Sequence, residues 1–376
     1  MSIIIKQVTS KRDLRKFVDF PNKLYKGNEY FVPKLFSDEM TTFNKKKNPC
    51  YSFSEASLYL AYKDGKLAGR VAAIINHKAN QIWNHKEVRY GWIDFIEDVD
   101  VARALMQTVE EYGRSRGMDT ISGPLGFTDF DPEGMLIDGY DKLCTMALIY
   151  NYPYYPRIME ELGYGKEVDW VEYKITVPDV LPDKIVSVSK IVQDRYGFKI
   201  RKLTKKEAIK EGRAHELFRL VNATYSKLYN FTPLSDEMID SYIESYMKIL
   251  DFEYITVVVD PNGDMAAFGI AVPSIARALQ KSRGKLFPFG WFRIMRSYFF
   301  KHEETIELLL VGVKEEYRNK GLMALIFSDL IPRMRKGGFR YGETNANLEN
   351  NTTIQQQWQM FETEFTKRRR IYTKKL

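Results

Sequence analysis

VGVKEEYRNKGLMALIFSDLI, from Val311 to Ile331, joins a short apolar run to a longer one through the charged turn Arg318-Asn319-Lys320-Gly321. The first run has the composition of a buried strand. In the second, Leu322, Leu325, Ile326 and Leu330 fall on one helical face. A strand that enters a helix this way leaves backbone N–H groups unpaired at the positive end of the helix, here with two cations beside them. Phosphates bind at such places, and Gly321 removes a side chain where a diphosphate would approach the backbone. The plain alternative is an ordinary strand-to-helix turn that contains a glycine. Neither a Walker loop nor the three-glycine dinucleotide fingerprint is present.

Outward from this stretch, the chain repeats itself. SLYLAYKDGKLAGRVAAIIN (Ser57 to Asn76) and YITVVVDPNGDMAAFGIAV (Tyr254 to Val272) are each two strand-like runs around a turn with Asp-Gly or Asn-Gly. The first is followed by YGWIDFIE, a helical pattern from Val99 to Arg116 and TISG; the second by IELLLVGV, the helix from Gly321 to Arg335 and FRYGETN. Val101, Leu105, Val109 and Tyr112 lie on one face of the first helix. The expected fold class is therefore α+β, in two lobes, each a mixed, mostly antiparallel sheet flanked by helices. The expected lobes are 1–177 and 184–376, joined through VPDVLPD (Val177 to Asp183), where prolines interrupt both periods. A chain of 376 residues is consistent with two cores.

The net charge of +8 comes from two places. Residues 274–302 carry seven basic side chains and no acid, and 367–376 carry six more, again with no acid. Without those thirteen, 44 basic residues face 49 acidic ones, so the body is at −5, which speaks against general polyanion binding and against nucleic acid. The Lys367-to-Arg370 run reads as charge on an edge strand or as an extra anchor for phosphate or lipid headgroups. No apolar run reaches membrane-span length, no signal peptide opens the chain, and Cys50 and Cys144 fit no disulfide framework. The expectation is a cytoplasmic protein.

Val-Gly-Val-x-x-x-Tyr-Arg-x-Lys-Gly-Leu, Val311 to Leu322, resembles the acyl-coenzyme A binding motif of the GNAT acetyltransferase superfamily, Arg/Gln-x-x-Gly-x-Gly/Ala after the fourth strand. Arg318, Gly321 and Met323 stand at the motif positions, and Met323 departs from the small residue expected. NYPYYPRIMEELGY (Asn151 to Tyr164) resembles the family's second motif, but Glu97-Asp98-Val99-Asp100 replaces the phosphate turn in the first lobe. The resemblance implies a first lobe without the cofactor motif and a second that binds acetyl-coenzyme A or a longer acyl-coenzyme A. It implies contacts from Leu310, Val311 and Val313 to the pantetheine arm, and from Arg318, Asn319, Lys320, Gly321, Leu322 and Met323 to the diphosphate, with Asn351 in the following segment. Trp358 stands where the family often has a tyrosine that protonates the leaving thiolate, which an indole N–H cannot do. Glu307 is the one carboxylate on the fourth strand for a general base, set against a surface glutamate at a strand start.

The activity implied is N-acyl transfer to an amine on a small-molecule or lipid-like acceptor. The rivals are a coenzyme A-binding or sensing protein and an enzyme acylating peptide amines, for which the Asp129-Phe130-Asp131-Pro132-Glu133 loop is the acidic candidate, with a solvated turn as the plain reading. In 274–302, Phe287, Phe289, Trp291, Phe292, Tyr298, Phe299 and Phe300 interleave with the cations. Either these aromatics pack between the lobes, or the segment makes a peripheral contact with the inner membrane surface.

Overall fold

The structure is a computed structural model that describes residues 2–247 and 250–376. Its strands are β1 (Ile3–Gln7), β2 (Ser54–Lys63), β3 (Lys66–Asn76), β4 (Glu87–Phe95), β5 (Thr120–Gly123), β6 (Met135–Asp138) and β7 (Gly165–Thr176), then β8 (Lys199–Arg201), β9 (Ile255–Val259), β10 (Met265–Pro273), β11 (Thr305–Val313), β12 (Tyr341–Thr344), β13 (Asn347–Leu348) and β14 (Thr363–Lys375). All fourteen belong to one sheet, in the order β1-β2-β3-β4-β5-β14-β7-β12-β11-β10-β9-β8, with β6 against β14 and β13 against β7. The parallel pairs are β4–β5 and β11–β12; the other described pairs are antiparallel.

Each half is thus a hairpin, a strand, a helix and a parallel strand, as the sequence repeat implies. The correspondence extends to single residues. Gly69 pairs with Phe95 and Gly269 with Val311. A Cβ on Gly69 would lie 2.7 Å from Leu105 of helix Val99–Arg114, and one on Gly269 would lie 2.6 Å from Ile326 of helix Leu322–Lys336. Only glycine lets those helices seat this closely. Strand alternation then divides the core. Ala61, Val71, Ala73 and Ile75 pack with helix Val99–Arg114, whereas Leu60, Ala72 and Ile74 pack on the opposite face with helix Lys11–Leu24. In the second half Val258 faces helix Leu322–Lys336, while Val257 and Val259 face helix Arg213–Tyr225.

One feature of the topology is invisible in the repeat. The closing strand of each half sits in the other half's sheet: β7 pairs with β12, and β14 pairs with β5. The two closing strands then pair with each other from Thr363↔Ile175 to Thr373↔Gly165. This placement corrects the reading of the basic tail as an edge. Lys367 and Arg369 are 0% exposed in mid-sheet and form ion pairs with Glu172, also fully buried; Lys367 also pairs with Glu343. Buried charges persist only when paired, so three strands from two halves are held in register by one ionic cluster.

Candidate functional site

β11 runs parallel to β12 from Thr305↔Tyr341 to Leu308↔Thr344 and then parts from it, as the chain beyond β12 continues along β7 as β13. Asn345 closes the base of the gap, donating its amide N–H to Leu308 O at 3.1 Å and its side chain to Leu309 O at 3.3 Å. Beyond this point the gap side of β11 has no neighbouring strand. A bulge at Leu309 precedes it, since Ile270 pairs with Leu310 and Ala271 with Leu308. Antiparallel alternation sends the backbone groups of Leu310 and Gly312 towards β10 and those of Val311 and Val313 into the gap. This narrows the expectation for Leu310, whose main chain is turned away from where a ligand arm would lie.

Tyr225, at the end of helix Arg213–Tyr225, reaches into this gap. Its hydroxyl accepts from Val311 N–H at 3.2 Å and donates to Val311 C=O at 3.1 Å. Burial pushes the phenol up to about 12, partly offset by the Val311 amide. No motif pointed to Tyr225; its one sequence signal is a tyrosine at the end of an amphipathic helix.

Eight residues, Lys314 to Gly321, link β11 to helix Leu322–Lys336. The helix begins at Gly321 with φ +79°, and no side chain caps it. Arg318 and Asn319 are exposed; among the described residues the Arg318 side chain forms no ion pair or hydrogen bond, and its charge helps to lower the Glu315 carboxyl after Lys227. Lys320 lies over the rings of Tyr196, Phe198 and Tyr317, its ammonium 5.7, 5.8 and 5.0 Å from their centroids. Gly321 has two structural reasons to be glycine: the left-handed conformation, and Val188, whose Cγ1 would lie 2.7 Å from a Cβ. Leu322 is buried in the core and Met323 half-buried against it. Asn351 caps helix Thr352–Trp358 through Ile354 N–H at 3.4 Å.

Trp358, 5% exposed, packs with Phe327, Leu308 and Met323 beneath the divergence of β11 and β12. Its indole N–H has no partner among the described residues. Buried donors are almost always satisfied, so a water or a ligand acceptor at this place would complete it.

Glu307 is not the surface glutamate of the alternative reading. It is 2% exposed, and both carboxylate oxygens accept from Met146 N–H, at 3.1 and 3.2 Å, while Ser274 Oγ donates at 2.9 Å. Burial raises its carboxyl to about 8; the Met146 amide and Ser274 hydroxyl work against the shift and Glu343 adds to it. Lys34 reaches the same loop from the other side, donating to Met146 O at 2.6 Å, and burial lowers its ammonium to about 8. Lys34 also lines a cavity of about 60 Å³ in the first half, walled by Tyr25, Phe36, Glu39, Arg70 and Asp94. A buried carboxyl raised towards neutrality has the property a general base requires.

The equivalent places in the first half are occupied by its own side chains. Three residues, Ile96 to Asp98, link β4 to helix Val99–Arg114. Asp98 caps that helix, accepting from the N–H groups of Asp100 and Val101 at 3.1 Å, and pairs with Lys63. A carboxylate therefore holds the anion position. Phe95, the counterpart of Val311, donates its N–H to the Tyr155 hydroxyl at 2.9 Å and accepts from Tyr154 at 2.6 Å, with the Tyr155 ring stacked at 4.2 Å. Tyr25 and Arg70 tie off Asp94 alongside. The loop at Asp129 is committed as well: Asp129 accepts from Thr232 N–H and Asp131 from Thr128 N–H, and burial raises them to about 6 and about 7. It is neither a solvated turn nor an open acidic groove.

No family model matches the chain. Two curated relatives are remote along most of its length. Protein YghO of Escherichia coli (strain K12) is 26% identical over 378 residues, 99% of this chain and 95% of its own. Bacterial ceramide synthase of Caulobacter vibrioides is 25% identical over 320 residues, 83% of this chain and 80% of its own. Among solved structures, a tandem GNAT protein from the clavulanic acid biosynthesis pathway superposes with a TM-score of 0.57 at 13% identity, covering 100% of this chain and 98% of that one. A GCN5-related N-acetyltransferase from Sphaerobacter thermophilus gives 0.52 at 14% identity, covering 99% and 95%. These structural likenesses are of fold.

Proposed function

From the tandem GNAT fold that this chain has, we propose that it is an acyl-coenzyme A-dependent N-acyltransferase, with the cofactor in the second half and an amine on a lipid-like molecule as acceptor. One observation carries the reading. The helix start and strand gap that Asp98, Tyr154 and Tyr155 fill in the first half are, in the second, an uncapped helix start with the exposed Arg318 beside it and a gap bridged by one hydroxyl. The lipid direction is supported by the 25% identical relative named a bacterial ceramide synthase.

The N–H groups at the start of helix Leu322–Lys336 and Arg318 would hold the diphosphate. Val311 and Val313 would present main-chain groups to the pantetheine arm once Tyr225 yields its two bonds, and the Trp358 N–H would find its acceptor. The thioester supplies an activated acyl group. Glu307, on the sheet face shared with helix Arg213–Tyr225, is the proposed base for the amine proton, delivered from the side of the first-half loop at Met146. Its raised pKa makes that transfer near neutrality strongly pH-dependent. A coenzyme A-binding protein without transfer is the second reading, favoured by Trp358 in place of an acidic hydroxyl.

Thermal melts against coenzyme A esters of increasing chain length test the cofactor. Ligand at a hundred times its dissociation constant stabilises by about 2.7 kcal/mol. Arg318→Glu should remove most of that shift and change the ligand-free melt little, since Arg318 is exposed and its described interaction is a minor electrostatic one with Glu315. An ester-independent melt would reject the cofactor site.

A further inference from the structure

Fifteen large hydrophobic side chains are exposed in the described structure, and seven of them lie between Phe287 and Phe300. They are not packed between the halves. Phe287, Phe289 and Phe300 are 81%, 68% and 84% exposed. In helix Gly290–Phe299, Ile294 packs inward and Tyr298 accepts from Asp251 N–H at 3.0 Å, which fixes the buried face. Trp291, Phe292, Met295 and Phe299 then fall on one outward stripe, where a water-facing helix would carry polar residues.

A basic cleft meets the segment that carries this stripe at Lys285. Lys11, Arg12, Arg15, Lys16 and Lys23 of helix Lys11–Leu24 line it with Lys285, and Asp19 is its one acid. Lys285 joins the two elements by its 3.4 Å ion pair to Asp19 and its position over the Phe36 ring. Gly284 C=O accepts from Phe36 N–H at 2.8 Å. Arg277, Lys281, Arg283, Arg293, Arg296 and Lys301 belong to the same segment as the aromatics.

We propose that this composite face, the 287–300 aromatics together with the basic side of helix Lys11–Leu24, docks the protein on an anionic phospholipid bilayer. Aromatic rings enter the interfacial layer while cations meet the headgroups, and both signals together give stable peripheral attachment. No described helix is long and apolar enough to cross a membrane. A nucleic-acid strand could also use rings and cations. The bilayer is favoured because the apolar residues form an outward helical stripe beside the cleft, rather than the floor of a charged groove. Phe36 also lines the first-half cavity, so the cleft lies next to the space beside Lys34.

Co-sedimentation of the full chain with phosphatidylglycerol vesicles and with phosphatidylcholine vesicles tests the proposal. Binding to the anionic vesicles, weakened by salt, is expected, with little to the neutral ones. Each cation near such a surface contributes roughly fivefold, so Lys11→Ala/Arg12→Ala/Arg15→Ala should weaken binding about a hundredfold. Phe287→Ser/Phe289→Ser should weaken it at least tenfold; both sets are exposed, so melting should be unchanged. Equal binding to both vesicles, indifference to either variant, or capture of an oligonucleotide with no vesicle binding would overturn it. So would a concentration-dependent dimer, lost in the Phe287/Phe289 variant, that never binds vesicles. Failure here would leave the coenzyme A melts untouched, so the two readings are tested separately.

Discussion

The two halves share a hairpin, a parallel strand pair and glycines opposite Phe95 and Val311, yet treat the same backbone groups differently. The first half satisfies Phe95 with two tyrosines from the helix that follows its parallel strand pair, and its helix start with Asp98. The second satisfies Val311 with one tyrosine from the opposite side, and leaves its helix start uncapped after an eight-residue link rather than a three-residue one. One scaffold can therefore have its backbone groups taken by its own side chains in one half and left largely open in the other. What separates the two halves is a few polar contacts, each worth about 0.5–1.5 kcal/mol net.

The contrast can be broken most drastically where the halves meet. Glu172→Gln leaves Lys367 and Arg369 buried with too little countercharge and should cost about 3–5 kcal/mol. A single, uniformly lowered melting transition is expected; a two-step melt in which one half is unaffected would mean that β7 and β14 do not couple the halves.

Next comes Glu307→Gln, which keeps the shape and should lower the transfer rate by about 10²–10⁴ without changing the coenzyme A melting shift. The wild-type rate should rise with pH through about 8, the variant's should not. An unchanged rate in the variant would favour the binding-protein reading or another base. Stability carries the same signature. Over pH 4.5 to 8 the native chain keeps a Glu307 proton that the unfolded chain has released, so stability falls as pH rises through that window. The glutamine variant should gain on wild type between pH 5 and pH 9, as thermal melts would record.

A smaller effect sharpens the comparison directly. Tyr225→Phe strips Val311 of both bonds, so the ligand-free melt should fall while the shift produced by coenzyme A grows, by a few-fold in affinity. Tyr155→Phe should lower the melt and produce no coenzyme A response of its own; equal behaviour of the two variants would erase the distinction between the halves. Asp98→Ala, smallest of all, should cost about 1 kcal/mol as a lost helix cap, with no cofactor site gained, because three residues are too few to form the longer link.

The sequence by itself determined the repeat, both hairpins, the helix that follows the Arg318–Gly321 turn and the missing phosphate turn at Glu97–Asp100. All of these depend on contacts within a few residues, and local periodicity and turn chemistry encode such contacts directly. It also supplied Glu307 as a candidate, without its burial. Only the tertiary structure decided that the basic tail lies in mid-sheet beside Glu172, that Val311 rather than Leu310 faces the gap, and that Tyr225 occupies it. It also turned the 287–300 aromatics outward, beside a basic helix more than 260 residues earlier in the chain. Those outcomes rest on pairings across 86 to 266 residues, such as Tyr225 with Val311, Glu172 with Arg369 and Asp19 with Lys285, and on strand parity across a bulge. No local pattern carries them, because the energy that selects them is gained only when distant strands meet.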